Sequence, residues 1–196
     1  MSEITRRSFT TLSAGFVLGT STKLEAAEVA PAPHALRTEA PFERDYPAPQ
    51  FNPSWKKPQI NKLMVQDFVV FSHMDLPMVK KLLAREPGLL NATMDWGGGD
   101  WESGLNAASH MGRHDIIEFL LEKGARIDIF CAAAMGLTDV VKAFLTLQPN
   151  LIDAPGPHGF FNLHVHAQMG GERSAKTLDY LQSVKKLELK PFMKKK

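Results

Sequence analysis

The chain has 196 residues, 23 Lys and Arg against 21 Asp and Glu, and a single cysteine. A composition that is 44% apolar and 22% charged is that of an ordinary folded protein and excludes disorder from end to end. No apolar run reaches the roughly 18–20 residues of a membrane span, and the lone Cys131 excludes an intrachain disulfide or a cysteine-based zinc cluster.

The charges are unevenly placed. Residues 1–60 carry seven basic and six acidic side chains, residues 61–170 eight and twelve, and residues 171–196 eight and three. An acidic body with a basic tail lacks the basic stripe that nucleic-acid binding needs. The tail, residues 188–196, ends in Lys194-Lys195-Lys196 and reads as a solvated terminus.

Residues 1–30 have the layout of an export signal. Thr5-Arg6-Arg7-Ser8-Phe9 leads a weakly apolar stretch from Leu12 to Gly19, followed by Lys23 and then Ala26-Ala27. Arg6, Arg7 and Phe9 resemble the opening of a bacterial twin-arginine signal, with Thr10 and Thr11 where Leu-Lys is often found. The resemblance implies export of a folded protein to the periplasm; Glu25 and Glu28 interrupt the small-residue pattern around Ala26–Ala30, so the cleavage site stays open.

Residues 31–60 form a Pro-rich extension. Seven of the thirteen prolines lie between residues 28 and 60, so neither a helix nor a central strand runs through. The extension also holds Phe42, Tyr46, Phe51 and Trp55. Burying a large ring is worth about 1.5–3 kcal/mol, and partial packing from Tyr46 onward is expected.

The body, residues 61–187, repeats. Val79-x-x-Leu82-Leu83, Ile117-x-x-Leu120-Leu121, Val141-x-x-Phe144-Leu145 and Thr177-x-x-Tyr180-Leu181 are four amphipathic helix faces, spaced by 38, 24 and 36 residues. A shorter helix is expected before each: Phe68 to Met74, Leu105 to Gly112, Ile129 to Gly136 and Leu163 to Gly170. Small residues such as Ala107-Ala108 and Cys131-Ala132-Ala133-Ala134 let neighbouring helices approach closely.

The unit from Ser103 to Asp128 is similar to the ankyrin repeat. Leu105, Ala108, Gly112, Ile116-Ile117, Leu120-Leu121 and Gly124-Ala125 stand where that family has its helix-packing and turn residues. Ser103-Gly104, Asn106 and Arg113 depart from the family pattern of Thr-Pro, His and His. The resemblance implies an all-α ankyrin-repeat solenoid of about four helix-turn-helix repeats with irregular ends. It further implies a monomeric, non-catalytic protein-protein interaction module whose partner is a protein of unstated identity.

The sharpest local signal is Asp95-Trp96-Gly97-Gly98-Gly99-Asp100-Trp101, a Gly-rich loop between two tryptophans. Tryptophans are enriched at binding hot spots, so Asp95, Trp96, Asp100 and Trp101 are the expected partner-contacting residues. His158, in the rigid Pro155-Gly156-Pro157-His158-Gly159 turn, joins them. Packing of the tryptophans on an adjacent repeat is the competing role.

By spacing alone the histidines do not assemble. His164 and His166 are two apart, and His110 and His114 straddle the Gly112 turn. No metal or cofactor is therefore expected, and the alternative is a metal-handling protein that uses His158, His164 and His166. No phosphate loop, carboxylate pair or Ser-His-Asp spacing points to an enzyme. Cys131, among alanines, is expected to be a small buried residue.

Overall fold

The computed structural model describes residues 40–51, 53–54 and 56–190. The expected export signal with Arg6, Arg7 and Phe9, Trp55 and the last lysines lie outside them. The chain divides into two compact units, Met1–Pro53 and Ser54–Lys196.

In the first unit the described residues have no helix or strand, in keeping with Pro41, Pro47 and Pro49. The Phe42 and Tyr46 rings lie 6.2 Å apart, and the Arg44 guanidinium sits 5.7 Å over Tyr46. Tyr46 is 52% and Phe51 81% exposed, which corrects the expected burial of these rings. A backbone interrupted by prolines builds no ladder that would hold them against a core.

The second unit is mostly helical. It contains α1 (Lys62–Ser72), α2 (Leu76–Arg85), β1 (Thr93–Asp95), β2 (Trp101–Ser103), α3 (Gly104–His110) and α4 (His114–Glu122). It continues with α5 (Ile129–Ala134), α6 (Thr138–Leu147), α7 (Leu163–Met169) and α8 (Ala175–Val184). Among the described residues no helix is long and apolar enough to cross a membrane.

The helices form four consecutive pairs. The first helices pack in series, α1 on α3, α3 on α5 and α5 on α7, and α3 also touches α7. Each of these four starts at a side-chain cap. Asn61, Ser103, Asp128 and Asn162 accept the backbone N–H of Leu63, Asn106, Cys131 and Val165, groups a helix cannot satisfy by itself.

The repeated apolar faces form the core. Val79, Leu82 and Leu83 join Phe68, Leu105, Ile116, Ile117 and Leu120 in one cluster. Val141, Leu145 and Leu181 join Ile129 and Leu163 in another. Cys131 and Ala132 to Ala134 are completely buried where first helices meet. Burial, and after it Asp128, pushes the Cys131 thiol up to about 12.

Close approach also fixes two turns. Gly112 and Gly136, at φ 63° and 73°, join the helices of the second and third pairs. A Cβ on Gly112 would stand 2.5 Å from the Met169 carbonyl oxygen, and one on Gly136 would collide with that of Arg173. Both turns are thus pressed onto the fourth helix pair.

One element departs from an all-α chain. Strands β1 and β2 pair antiparallel, Met94 opposite Glu102 and Asp95 opposite Trp101. The Trp-Gly loop is the tip of this hairpin. Its three glycines all have positive φ, and the Asp95 carboxylate accepts the N–H groups of Gly97 and Gly99. Strand alternation then turns Trp101 outward and Glu102 inward.

Candidate metal centre

Glu102 is the starting point. Its side chain is 0% exposed, and a carboxylate taken out of water needs partners. Oε2 accepts the Trp96 indole N–H at 2.7 Å. Oε1 lies 2.8 Å from His110 Nε2. His73 Nε2 and His158 Nε2 stand 3.6 and 3.8 Å from Oε2. Three imidazole nitrogens of the same kind therefore face one buried carboxylate.

The helix array brings them together. His73 caps the C-terminal end of α1, and His110 is the last residue of α3. Because α1 and α3 pack side by side, their ends meet, and the two rings lie 4.9 Å apart. The hairpin supplies Glu102 and Trp96 on the same side. His158 arrives from the turn before α7, 5.1 Å from Trp96 and 5.5 Å from His110 between ring centroids.

His158 holds an unusual backbone. It is the one non-glycine described residue with positive φ, at 57°, a conformation that costs an L-residue about 1–2 kcal/mol. Asp100 holds the residue there, accepting the His158 backbone N–H at 2.9 Å and pairing with Nδ1 at 3.1 Å. Strain of this kind collects at functional sites.

The outer partners decide which ring nitrogen faces inward. His73 Nδ1 donates to the Val69 carbonyl at 3.0 Å, and His158 Nδ1 is taken by Asp100. In both rings this leaves Nε2 as the lone-pair atom directed at the centre, the arrangement by which proteins orient metal-binding histidines. The His110 ring is fixed differently, stacked on Phe161 at 4.1 Å. Burial lowers the His73 pKa, a shift that Glu102 opposes and His110 reinforces, which favours the neutral ring that can ligate.

The donor atoms of His73, Glu102, His110 and His158 all lie within 4.8 Å of one another. In a tetrahedral site with metal–ligand bonds of about 2.0–2.2 Å, neighbouring donors stand about 3.4 Å apart. The widest pair would have to draw in by up to about 1.4 Å for all four to meet one ion.

The residues singled out by sequence take separate places. Asp95 shapes the hairpin tip. Trp96 and Asp100 hold Glu102 and His158. Trp101 is 62% exposed, beside a cleft of about 480 Å³ that Gly98, Asp100, Gly156 and His158 also line. Of the alternative set His158, His164 and His166, His158 alone enters the cluster. His164 Nε2 pairs with the Lys185 carbonyl and His166 Nδ1 with that of Asn162. Both rings are completely buried, and burial lowers His166 to about 3.

The expectation that the histidines stay apart is thereby corrected, because helix packing joins residues that local spacing separates. His73 and Glu102 were missed. A signal existed in the repeat: His73 stands six residues before Val79, and His110 seven before Ile117. No protein-family model matches the chain, and no curated protein or solved structure matches it.

Proposed function

We propose that this chain is a transition-metal-binding protein built on an ankyrin-like repeat array. One observation carries the proposal: the Nε2 atoms of His73, His110 and His158 converge on the buried carboxylate of Glu102. Three neutral imidazoles and one carboxylate suit a borderline divalent ion, and zinc above the hard ions calcium and magnesium. Four protein ligands complete a tetrahedral zinc site and leave no position for a reacting water. The role of the ion is accordingly structural and the protein non-catalytic.

The ankyrin-like reading draws support from the four helix pairs packed in series and from Leu105, Ala108, Gly112, Ile116, Ile117 and Leu120 at their junctions. The twin-arginine-like start proposes the periplasm as the destination. A route that carries folded cargo is compatible with an ion inserted before export.

Elemental analysis of the purified full chain, grown with added zinc, tests the function. About one equivalent of zinc is expected, falling to background in the His73→Ala, His158→Ala double variant. Equal zinc in both proteins would defeat the proposal.

A second reading is a protein-interaction module, favoured by Trp101 exposed beside the open cleft. In cross-linked periplasmic fractions Trp101→Ala would lose a partner that the native chain captures, with zinc content unchanged. Capture that survives the substitution counts against this reading.

A further inference from the structure

Each histidine of the centre needs an acceptor for its outer ring N–H once Nε2 is given to a metal ion. His73 has the Val69 carbonyl and His158 has Asp100. His110 has no such partner, since its Nδ1 is buried without a hydrogen bond. Without a metal this is tolerable, as Nε2–H donates to Glu102 and Nδ1 is a bare lone pair. With a metal on Nε2, the ring proton must sit on Nδ1, and a buried donor is left to satisfy.

A matching acceptor lies nearby. His166 Nδ1 donates to the Asn162 carbonyl at 3.1 Å. Its Nε2 is therefore a lone pair, and it too is buried without a partner. The His110 and His166 rings are 6.1 Å apart between centroids and nearly perpendicular, at 84°. Rings at this centroid distance are within reach of a bridge through one bound water. Phe130 and Phe161 flank His166 at 5.0 and 6.4 Å between ring centroids.

We propose that His166 is a positioning residue of the metal centre, accepting the Nδ1–H that His110 carries only when its Nε2 holds the ion. The inference rests on the metal-binding reading. The proton balance is internal: the proton leaves Nε2 of His110, appears on Nδ1 of the same ring, and is shared with the lone pair of His166. Neither His166 nor Glu102 changes charge. The pair explains two otherwise unsatisfied buried nitrogens with a single event.

The test measures zinc affinity of the full chain by competition with a chromophoric chelator, for the wild type and for His166→Leu and His166→Gln. Nitrogen-15 NMR of the histidine rings is recorded with and without zinc. The wild type is expected to bind, with His110 changing from the Nε2–H to the Nδ1–H tautomer. His166→Leu should bind about 10–100-fold more weakly, the usual effect of losing an outer-sphere partner. His166→Gln, whose amide oxygen reaches the place of Nε2, should recover most of that loss.

A merely structural role for His166 predicts something else: Leu and Gln variants that melt lower yet bind zinc like the wild type, and that result overturns the proposal. An unchanged His110 tautomer in the zinc-bound wild type overturns it as well, even if His166→Leu folds too poorly to assay. A wild type that takes up no zinc removes the metal centre itself, an outcome distinct from binding that ignores residue 166.

Discussion

Replacing Glu102 by Gln removes one charge from the buried centre while keeping its shape. Both oxygens of the native carboxylate are engaged, Oε1 with His110 and Oε2 with Trp96. An amide offers one oxygen, so one of these N–H donors meets an NH2 group. Losing a hydrogen bond to a charged group costs about 1.5–3 kcal/mol. Relief from burying the charge offsets part of it, leaving a metal-free loss of about 1 kcal/mol. The response to zinc separates the two proteins further. At a free zinc concentration 100 times Kd the native chain gains about 2.7 kcal/mol. For a unit of this size that is about 8–10 °C in Tm. If the lost anionic ligand weakens binding 100-fold, the same zinc stabilises Glu102→Gln by about 0.4 kcal/mol, and its Tm moves by only about 1–2 °C. Scanning calorimetry in zinc-buffered and zinc-free solution reads both quantities. A variant whose Tm still rises with zinc as much as that of the native chain would refute the placement of Glu102 among the ligands.

The other predictions concern the metal-free fold. His166 titrates near 6.5 when unfolded and at about 3 in the fold. Between these values only the unfolded chain takes up the proton. Its contribution is therefore fully present above about pH 6.5 and falls by about 1.4 kcal/mol per pH unit as pH drops toward 3. Urea titrations at pH 7, 6 and 5 should show a shallower slope in His166→Leu, and parallel slopes would contradict the burial argument. Gly136→Ala should cost about 2–4 kcal/mol, because a Cβ there meets the Arg173 backbone. Gly124→Ala, with a similar φ but open space around it, should cost only about 1 kcal/mol, and equal losses in chemical denaturation would refute the contact. Cys131, buried and with its thiol pushed up to about 12, should react with a thiol-specific disulfide reagent only at the rate of unfolding, so rapid labelling of the native chain would be the contrary result.

The helix pairs were legible because each rests on local chemistry. Val79, Leu82 and Leu83 mark a face at helical spacing, and small residues such as Ala132 to Ala134 mark where helices approach closely. The three-residue strands were not legible, since such short segments carry too little alternation to tell from a loop. Trp96 and Asp100 were picked out as partner contacts, and the structure adds that their polar atoms turn inward to Glu102 and His158. The centre draws on residues 73, 102, 110 and 158, and only packing of the first helices makes them neighbours. His164 and His166 serve two different carbonyls, as their two-residue spacing on a helix implies.

The six-residue helix α5 has a consequence for the centre although it supplies none of the four converging residues. It lies between α3 and α7, and its buried residues are Ile129, Cys131 and three alanines. A helix this thin works as a shim, and its side-chain volume sets how far apart its neighbours stand. Because it is thin and short, α3 and α7 also meet each other, and His110 and His166 come to face across the gap. A larger residue at Ala132 or Ala133 would lever the third and fourth helix pairs outward. The ligand geometry would widen although every ligand remained. The tolerance of the proposed ion site would in this sense be recorded in methyl groups, and its tuning would be open to changes that leave the site chemically intact.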